Sequence, residues 1–368
     1  MPVGKMACDA LHEMEVFSEK PEPRSGHRAC STSNHMIVYG GYDRCASDKI
    51  YTEIICFNTI SRKWAELPHS RGVRFESASS SMALFHNNLM IFGGSGYPFG
   101  HTNSNDLSVY SLKAKTWSRL GSKPPLARYG QSMVLTAVEN CPRLYIFSGT
   151  VGREFLDDMH YFDLIENNWH SIQTDVVPAG RYRHETVVFE GDFYLFGGSV
   201  QLQSFGFHHL WQFSFSKHRW TKIECKPTPD GQFPSPRKAH SCIIWHGVVY
   251  MAGGCNENTT LKYNDIWSIC LKDFTWKKLN IVLPVPLYFH SASVTPDGCM
   301  NIFGGVDDTG KRSSSTYEIW LDVSSLLKIT FRFILDRLGH NHDHYLTLKN
   351  LGVPTLLLDD VFKEFPAG

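Results

Sequence analysis

The stretch Tyr194-Leu195-Phe196-Gly197-Gly198 decides the fold, because close copies of it recur along the chain. The copies occupy residues 37–41, 90–94, 250–254 and 301–305, and a weaker copy at 145–149 has Ser148 in place of the first glycine. A short apolar run that ends in a glycine pair is typical of a β-strand whose end needs backbone angles that a side chain would hinder. Copies at a period of about fifty residues predict a repeat architecture.

Two further features recur in this period, a tryptophan after the glycine pair and a short polar loop before it. The tryptophans, at intervals of 51 to 56 residues, are Trp64, Trp117, Trp169, Trp220 and Trp276. The loops have the form Arg-x-x-His or a relative of it, and they run from Arg24 to His27, Arg74 to Ser77, Arg128 to Gln131, Arg181 to His184, Arg237 to His240 and Leu287 to His290. Each unit therefore reads as four short strands joined by turns.

One such twisted sheet cannot bury both of its faces alone, whereas several sheets stacked radially bury them against each other. We therefore predict an all-β fold, a six-bladed β-propeller over residues 24–322, in which each tryptophan fills the wedge between two blades. The pattern resembles that of kelch repeats.

The last unit lacks a tryptophan strand, because the chain changes character after Leu321. Residues 14–17 stand before the first Arg-x-x-His loop as residues 63–67 stand before the second. We predict that the N-terminal segment, residues 1–23, supplies the missing outer strand and closes the ring.

A short α-helical tail is predicted over residues 323–368. Apolar residues fall at helical spacing from Leu326 to Leu338, Ser324 or Ser325 is suited to cap the helix, and Gly339 is suited to end it. One interpretation is an amphipathic helix that packs on the propeller. The other is a docking element that inserts into a partner's groove.

Two motifs favour docking. Ser325-Leu326-x-x-x-Thr330-x-x-x-Ile334 is similar to the elongin-binding box of cullin-2 and cullin-5 substrate receptors, with threonine where cysteine is usual. Val353-Pro354-x-x-Leu357-x-x-x-Val361 resembles the cullin-2 box. These resemblances imply elongin B, elongin C and cullin-2 with its RING subunit as partners.

Nearly the whole chain resembles the kelch domain-containing protein 10 family and its insect relatives. The residues that carry this resemblance include 24–27, 97–106, 181–185, 288–290 and 294–300. The family implies a substrate receptor that binds extreme C-terminal peptides ending in glycine or small residues and presents them for ubiquitination and degradation. It also implies a link to oxidative-stress kinase signalling, on which these residues do not bear.

The residues that follow the first position of each loop are expected to face the central opening. Aromatic walls pack around small residues, and cations bind a free carboxylate. We predict Arg183 and Lys238 as the carboxylate binders, with Arg128 and Arg181 as substitutes, and the aromatic wall as Phe75, Tyr129, Tyr182, Tyr288 and Phe289. In the alternative interpretation, the arginines that begin each loop are structural and bond carbonyl groups between blades. The recurring histidines are expected to be structural hydrogen-bonding groups.

Composition excludes several other classes of protein. The 36 basic and 36 acidic residues cancel, and no long run of like charge favours a nucleic-acid partner. The ten cysteines include no Cys-x-x-Cys pair, which favours reduced thiols and argues against a metal site. We see no signal peptide or apolar span and expect a soluble protein of the cytoplasm, with the nucleus as a second location.

Two other functional classes remain open. An enzyme is disfavoured, because the sequence shows no nucleophile elbow, paired carboxylates or copper-type ligand cluster, and no cofactor is expected. A kelch scaffold without ligase function, with actin or a signalling kinase or phosphatase as its partner, is the alternative that the tail motifs would distinguish.

Overall fold

Each repeat folds into a four-stranded antiparallel sheet in the computed structural model of the chain. The structure describes residues 12–14, 16, 18–44, 48–71, 77–322 and 343–350, together with positions 330, 333, 353, 355 and 358. The sheets are the six blades of a propeller, because the inner strand of each blade contacts that of the next and the sixth contacts the first. The prediction of a six-bladed propeller is confirmed.

The strands follow the chain in blade order after an initial strand β1 (His12–Glu13). Blade 1 contains β2 (Arg28–Ser31), β3 (His35–Tyr39), the hairpin β4 (Tyr42–Asp43) and β5 (Lys49–Ile50), β6 (Ile54–Asn58) and β7 (Lys63–Glu66). Blade 2 contains β8 (Ser81–Phe85), β9 (Asn88–Phe92), β10 (Leu107–Ser111) and β11 (Thr116–Leu120). Blade 3 contains β12 (Ser132–Val138), β13 (Cys141–Phe147), the hairpin β14 (Thr150–Val151) and β15 (Glu154–Phe155), β16 (Met159–Asp163) and β17 (Asn168–Ile172).

The second half of the ring repeats this order. Blade 4 contains β18 (Glu185–Phe189), β19 (Asp192–Phe196), the hairpin β20 (Ser199–Val200) and β21 (Gln203–Ser204), β22 (His209–Ser214) and β23 (Arg219–Glu224). Blade 5 contains β24 (Ser241–Trp245), β25 (Val248–Ala252), β26 (Asp265–Cys270) and β27 (Thr275–Val282). Blade 6 contains β28 (Ser291–Val294), β29 (Cys299–Phe303) and β30 (Thr316–Trp320), and it is followed by helix α1 (Asp343–Asn350).

The N-terminal strand β1 is the outer strand of blade 6. His12 pairs with Glu318 and Glu13 with Tyr317, and the Met14 N–H donates to the Thr316 carbonyl at 2.8 Å. The ring is thus closed by joining the two ends of the propeller. The strand lies slightly earlier than the predicted residues 14–17, while the domain boundaries at residues 23 and 322 stay predictions.

The tryptophans fill the seams between blades, as the sequence predicts. Each one packs on the aromatic residue that precedes the glycine pair of the previous blade: Trp64 on Phe303, Trp117 on Tyr39, Trp169 on Phe92, Trp220 on Phe147 and Trp276 on Phe196, with ring centroids 4.6 to 6.4 Å apart.

The seam between blades 5 and 6 is built differently. Ala252 takes the place of the aromatic residue, and β1 carries no tryptophan. The fully buried Leu283 and Leu287 lie in the same apolar cluster as Ala252 and fill this seam. This seam therefore lacks both the tryptophan and the aromatic side chain on which it packs in the other seams.

The tail is described at a few positions. Thr330 and Phe333, within the first predicted helix, are helical and exposed. The Val353 N–H donates to the Leu348 carbonyl at 3.0 Å, and Leu348 and Leu358 are buried. The other residues of the two boxes, Ser325, Leu326, Ile334, Pro354, Leu357 and Val361, lie outside the described residues.

Candidate functional site

A closed ring of backbone hydrogen bonds surrounds the propeller axis on one face. Its members are Gly26, Ser79, Gly130, Arg183, Ala239 and Phe289, one from each blade. Each N–H donates to the carbonyl of the ring residue in the preceding blade, at 2.8 or 2.9 Å, and Gly26 closes the circle by donating to Phe289. All six have a positive φ between 52° and 68°. Because this conformation is uncommon for residues with a Cβ, it persists only where the surroundings fix it, and here the ring does so.

The ring corrects the predicted register of blade 2. The sequence pattern placed Phe75 and Glu76 at the mouth, but the structure places Ala78 and Ser79 there, and Ala78 bridges to Ser95 as the mouth residues of other blades do. Ser77 thus stands where blades 1, 3, 4 and 5 have an arginine and blade 6 has Leu287, so the loop motif of blade 2 starts three residues later than predicted. The sequence alignment of this loop was shifted because Arg74 was taken for the arginine that begins the loop motif. Arg74, Phe75 and Glu76 lie outside the described residues.

The arginines that begin the loops form part of the fold. Arg24, Arg128, Arg181 and Arg237 each donate from Nη1 to the carbonyl of the first residue of their own blade's Gly-Gly or Ser-Gly pair, at 2.9 to 3.2 Å. Three of them also pair with a carboxylate, from Glu53, Asp158 and Asp265 respectively. Arg181 lies 3.7 Å from the centre of the Phe205 ring instead.

These contacts bear on the predicted carboxylate binders. Arg128 and Arg181 are not among the residues that line the mouth cavity described below, and each is held within its own blade, Arg128 by Asp158 and Arg181 by the Gly197 carbonyl and the Phe205 ring. They match the structural alternative considered from the sequence, and the cationic part of the site depends on other residues.

A tier of histidines lies beneath the ring. His27 hydrogen-bonds the Phe303 carbonyl at 3.0 Å, His184 hydrogen-bonds the Ser132 hydroxyl at 2.8 Å, and His290 that of Ser241 at 2.9 Å. Burial holds the pKa of His27, His184 and His240 well below its ordinary value and lowers that of His290 to about 4. His27, His184 and His290 therefore connect neighbouring blades through a buried, neutral imidazole, whereas the ring nitrogens of His240 have no hydrogen-bond partner among the described residues. Within the described ranges no three His, Cys, Asp or Glu side chains cluster as metal ligands would.

A cavity of about 290 Å³ opens above the ring, between blades 6, 1 and 2. Small residues form its floor, aromatic side chains form its walls, and three arginine side chains line it. The lining residues are Ser25, Gly26, Tyr42, Arg44, Ala78, Ser79, Phe99, Arg183, Phe289 and Arg312.

Arg183 is the central cation of this cavity. It reaches across the mouth from blade 4, donates to the Ser79 hydroxyl and lies 4.6 Å from the centre of the Phe289 ring. Burial lowers its pKa to about 10, so the group stays charged at neutral pH. No carboxylate of the described residues forms an ion pair with it, in contrast to Arg24, Arg128 and Arg237. A buried cation of this kind favours an anionic ligand.

Aromatic contacts shape the wall of the cavity. Phe99 stacks on Tyr42 with ring centroids 5.9 Å apart and meets the edge of Tyr129 at 4.9 Å. It follows a cis Tyr97–Pro98 peptide bond in the loop after the glycine pair of blade 2. The predicted wall residues Tyr129 and Phe289 therefore contribute here, together with two rings that the prediction missed.

Lys238 lies in the other half of the mouth and is already paired. Its ammonium group donates to the Tyr182 hydroxyl at 2.5 Å and forms an ion pair with Glu257. Burial lowers its pKa to about 8. Tyr288, another predicted wall residue, lies 5.6 Å from the Lys262 ammonium group, measured to the ring centre. This half of the mouth is polar and internally neutralised.

The axis is blocked below the ring. A second cavity, of about 140 Å³, is lined by the first residues of the inner strands, and across it Arg28 of blade 1 pairs with Glu185 of blade 4 at 2.6 Å. An extended chain that enters the mouth therefore meets the ring, Arg183 and then an ion pair, so the mouth is a blind end.

Sequence reasoning missed Tyr42, Arg44, Phe99 and Arg312. All four lie in the connections that follow the glycine pairs, where lengths and residues differ between blades. Their position in the repeat could have indicated them, because the connection after the glycine pair borders the mouth in each blade. Tyr42 and Arg44 lie in the first three residues after Gly41.

Comparison with known proteins gives concordant matches. A family model described as the KLHDC2/KLHL20/DRC7 Kelch-repeats domain matches residues 5–198 and 100–305. The chain is 33% identical to kelch domain-containing protein 10 of Xenopus tropicalis over 87% of this chain and 80% of the relative. It is 33% identical to the Homo sapiens protein of that name, over 86% and 74%, and 28% identical to the Drosophila melanogaster homolog, over 91% and 61%.

Proposed function

The chain belongs to the kelch-repeat proteins of the kelch domain-containing protein 10 family, and we propose that it is the substrate-recognition subunit of an elongin-BC/cullin-2 RING ubiquitin ligase. In this role the mouth of the propeller binds C-terminal peptides of substrates that end in glycine or another small residue. Ubiquitination and degradation of the substrate would follow.

The observation that carries the proposal is the buried Arg183 guanidinium at the cavity floor. An α-carboxylate satisfies such a cation with charge-assisted hydrogen bonds, and Arg312 and Arg44 add positive charge on the same side. Arg312 is only loosely held within the chain, at 3.9 Å from Asp43. A carboxylate that reaches Arg183 therefore meets a buried cation that no described carboxylate neutralises, with Arg312 and Arg44 lining the same cavity.

The shape of the site favours a chain end over an internal segment. The backbone ring and the Arg28–Glu185 pair leave no path through the propeller, so a bound chain must terminate at the floor. Phe99, Tyr42 and Phe289 narrow the space directly above Arg183, which favours small terminal residues.

Lys238 supports this site in a secondary role. Because Glu257 already neutralises it, we expect it to bind backbone carbonyl groups of the peptide rather than the terminal carboxylate.

The ligase part of the proposal is supported by the resemblance of the tail to the two boxes. Helical residues at Thr330 and Phe333, and again at Thr355 and Leu358, agree with one helix for each box. Leu326 would insert into an elongin groove, and Pro354 would begin the cullin-contacting helix.

The peptide site is tested by fluorescence anisotropy with a labelled peptide that ends in a free glycine carboxylate, beside the same peptide amidated. We expect the wild type to bind only the free acid, and Arg183→Met to lose more than tenfold in affinity. Arg219→Gln, which changes an exposed arginine of β23, is the matched control. Equal binding of acid and amide would exclude the carboxylate site.

The ligase role is tested by capture of elongin B, elongin C and cullin-2 with the wild type and with Leu326→Asp combined with Pro354→Ala. We expect capture by the wild type alone. A chain that binds free C-terminal peptides but captures none of the three proteins is a scaffold.

A further inference from the structure

Two exposed leucines stand on neighbouring connections at the rim of the mouth. Leu202 lies in the turn between β20 and β21 of blade 4, and Leu261 ends the loop that follows Cys255 in blade 5. Their exposures are 79% and 57%. Both connections follow a glycine pair, so they border the same face as the cavity.

The two connections are fixed to each other by hydrogen bonds. The Ser204 N–H donates to the Asn258 side-chain oxygen at 3.0 Å, and the Glu257 N–H donates to the Ser204 hydroxyl at 2.8 Å. Asn256 anchors the second loop by donating to the Pro236 carbonyl at 2.9 Å. Because the leucines are held outward on an ordered frame, they form a preorganised apolar surface, for which less ordering entropy is lost on binding.

The cavity determines the direction in which a bound peptide leaves. Its walls are the connections of blades 6, 1 and 2, through Arg312, Tyr42 and Phe99, and its floor is closed. A bound chain that stays on the surface of the mouth after its carboxylate meets Arg183 therefore runs toward the opposite blades. Those blades carry the polar pair Lys238 and Glu257 and the exposed Leu202 and Leu261.

We infer that Leu202 and Leu261 form a ledge that binds an apolar side chain of the substrate upstream of its C-terminus. This inference rests on the proposed function and extends it to a second specificity element. The ledge lies on blades 4 and 5 and the cavity walls on blades 6, 1 and 2, so an extended chain, at roughly 3.3 Å per residue, needs several residues to join them. The apolar side chain is thus expected several positions before the terminal residue.

The test is a set of 12-residue peptides with a free glycine carboxylate, in which a single leucine replaces serine at each upstream position in turn. We expect a leucine at one of these upstream positions to improve wild-type affinity by roughly three- to tenfold, because the ledge removes part of its apolar surface from water. Leu202→Ser combined with Leu261→Ser abolishes this gain and leaves the all-serine peptide unaffected. Ile165→Ser, which changes a 68%-exposed side chain on the opposite face, keeps the gain.

A flat leucine scan in the wild type, or a gain that survives the double substitution, overturns the ledge. If the same peptides still bind better as acids than as amides, the carboxylate site stands and only the ledge fails. If acid and amide bind equally, the proposed function fails and the ledge falls with it.

Discussion

Arg28 and Glu185 lie on opposite blades and pair across the propeller axis, with 2.6 Å between Nη1 and Oε1. Four other blades place a serine at the same position of the inner strand, Ser81, Ser132, Ser241 and Ser291. The pair thus replaces two serines of a polar tier. His184 and His290 hydrogen-bond such serines of the preceding blade. The blade before His240 has Glu185 at that position, and neither ring nitrogen of His240 has a hydrogen-bond partner among the described residues.

We predict that Arg28→Ser alone lowers the free energy of unfolding by about 2–3 kcal/mol, because it leaves the Glu185 carboxylate partly buried without its cation. Arg28→Ser combined with Glu185→Ser restores the serine tier and recovers most of this loss. Equilibrium urea unfolding of both single variants and the double variant measures the coupling. Independent, additive effects would show that the pair contributes nothing.

The histidine tier predicts a loss of stability in acid. Burial lowers the pKa of His290 to about 4, against about 6.5 in the unfolded chain. The unfolded state therefore binds the proton first as the pH falls, and stability that is complete above pH 6.5 declines by about 3 kcal/mol toward pH 4. His290→Gln should remove that share of the pH dependence.

Gln131 is the natural precedent for this substitution, since it occupies the same position in blade 3 and donates to the Ser81 hydroxyl at 3.0 Å. The free energy of unfolding should be measured at pH 7.5 and pH 5 for both proteins. The same difference between the two pH values in the variant and the wild type would contradict the assignment.

The sequence predicted the ring well because packing enforces its signals in almost every blade. An added Cβ on Gly304 would approach the Arg24 carbonyl oxygen to 2.8 Å, so a larger residue does not fit at this position. Each tryptophan likewise packs on an aromatic side chain of the previous blade, as Trp64 does on Phe303. The predicted register of the blade 2 loop was wrong because Ser77 occupies the position of the arginine, while Arg74, three residues earlier, resembles the start of the motif.

The mouth was predicted in part. Arg183 and Phe289 belong to the repeated loop and could be placed by phase, whereas Phe99 and Arg312 belong to connections that no repeat constrains. Periodicity locates a position around the ring, but it does not reveal which cation is already neutralised. Lys238 and Arg183 are both cations in the repeated loop, so the sequence does not distinguish them. The structure does, because Lys238 forms an ion pair with Glu257 and Arg183 has no carboxylate partner among the described residues.

The seam between blades 5 and 6 gives a prediction about packing. Ala252→Phe restores the usual aromatic residue, but Leu283 and Leu287 fill the space that it needs. We expect a loss of about 1–3 kcal/mol from overpacking, seen as a lower midpoint of urea unfolding. Phe303→Ala is the comparison, because Phe303 packs on Trp64 at the seam between blades 6 and 1. It should lower the free energy of unfolding by about 3–5 kcal/mol. A stabilised Ala252→Phe protein would show that the seam is loosely packed.

The last prediction separates structural arginines from the ligand-binding one. Arg128→Met removes the guanidinium that, together with His160, holds the pKa of Asp158 well below its usual value, and it removes a hydrogen bond to the Ser148 carbonyl. We expect it to lower the free energy of unfolding by about 3 kcal/mol while the folded fraction binds the free-acid peptide as tightly as the wild type. Arg183→Met should do the reverse, because its side chain pairs with no described carboxylate and its backbone conformation is set by the ring. Thermal unfolding and anisotropy on the same samples report both quantities. Should Arg128→Met weaken peptide affinity as much as Arg183→Met does, the two arginines act in one site and the assignment of Arg128 to the fold is wrong.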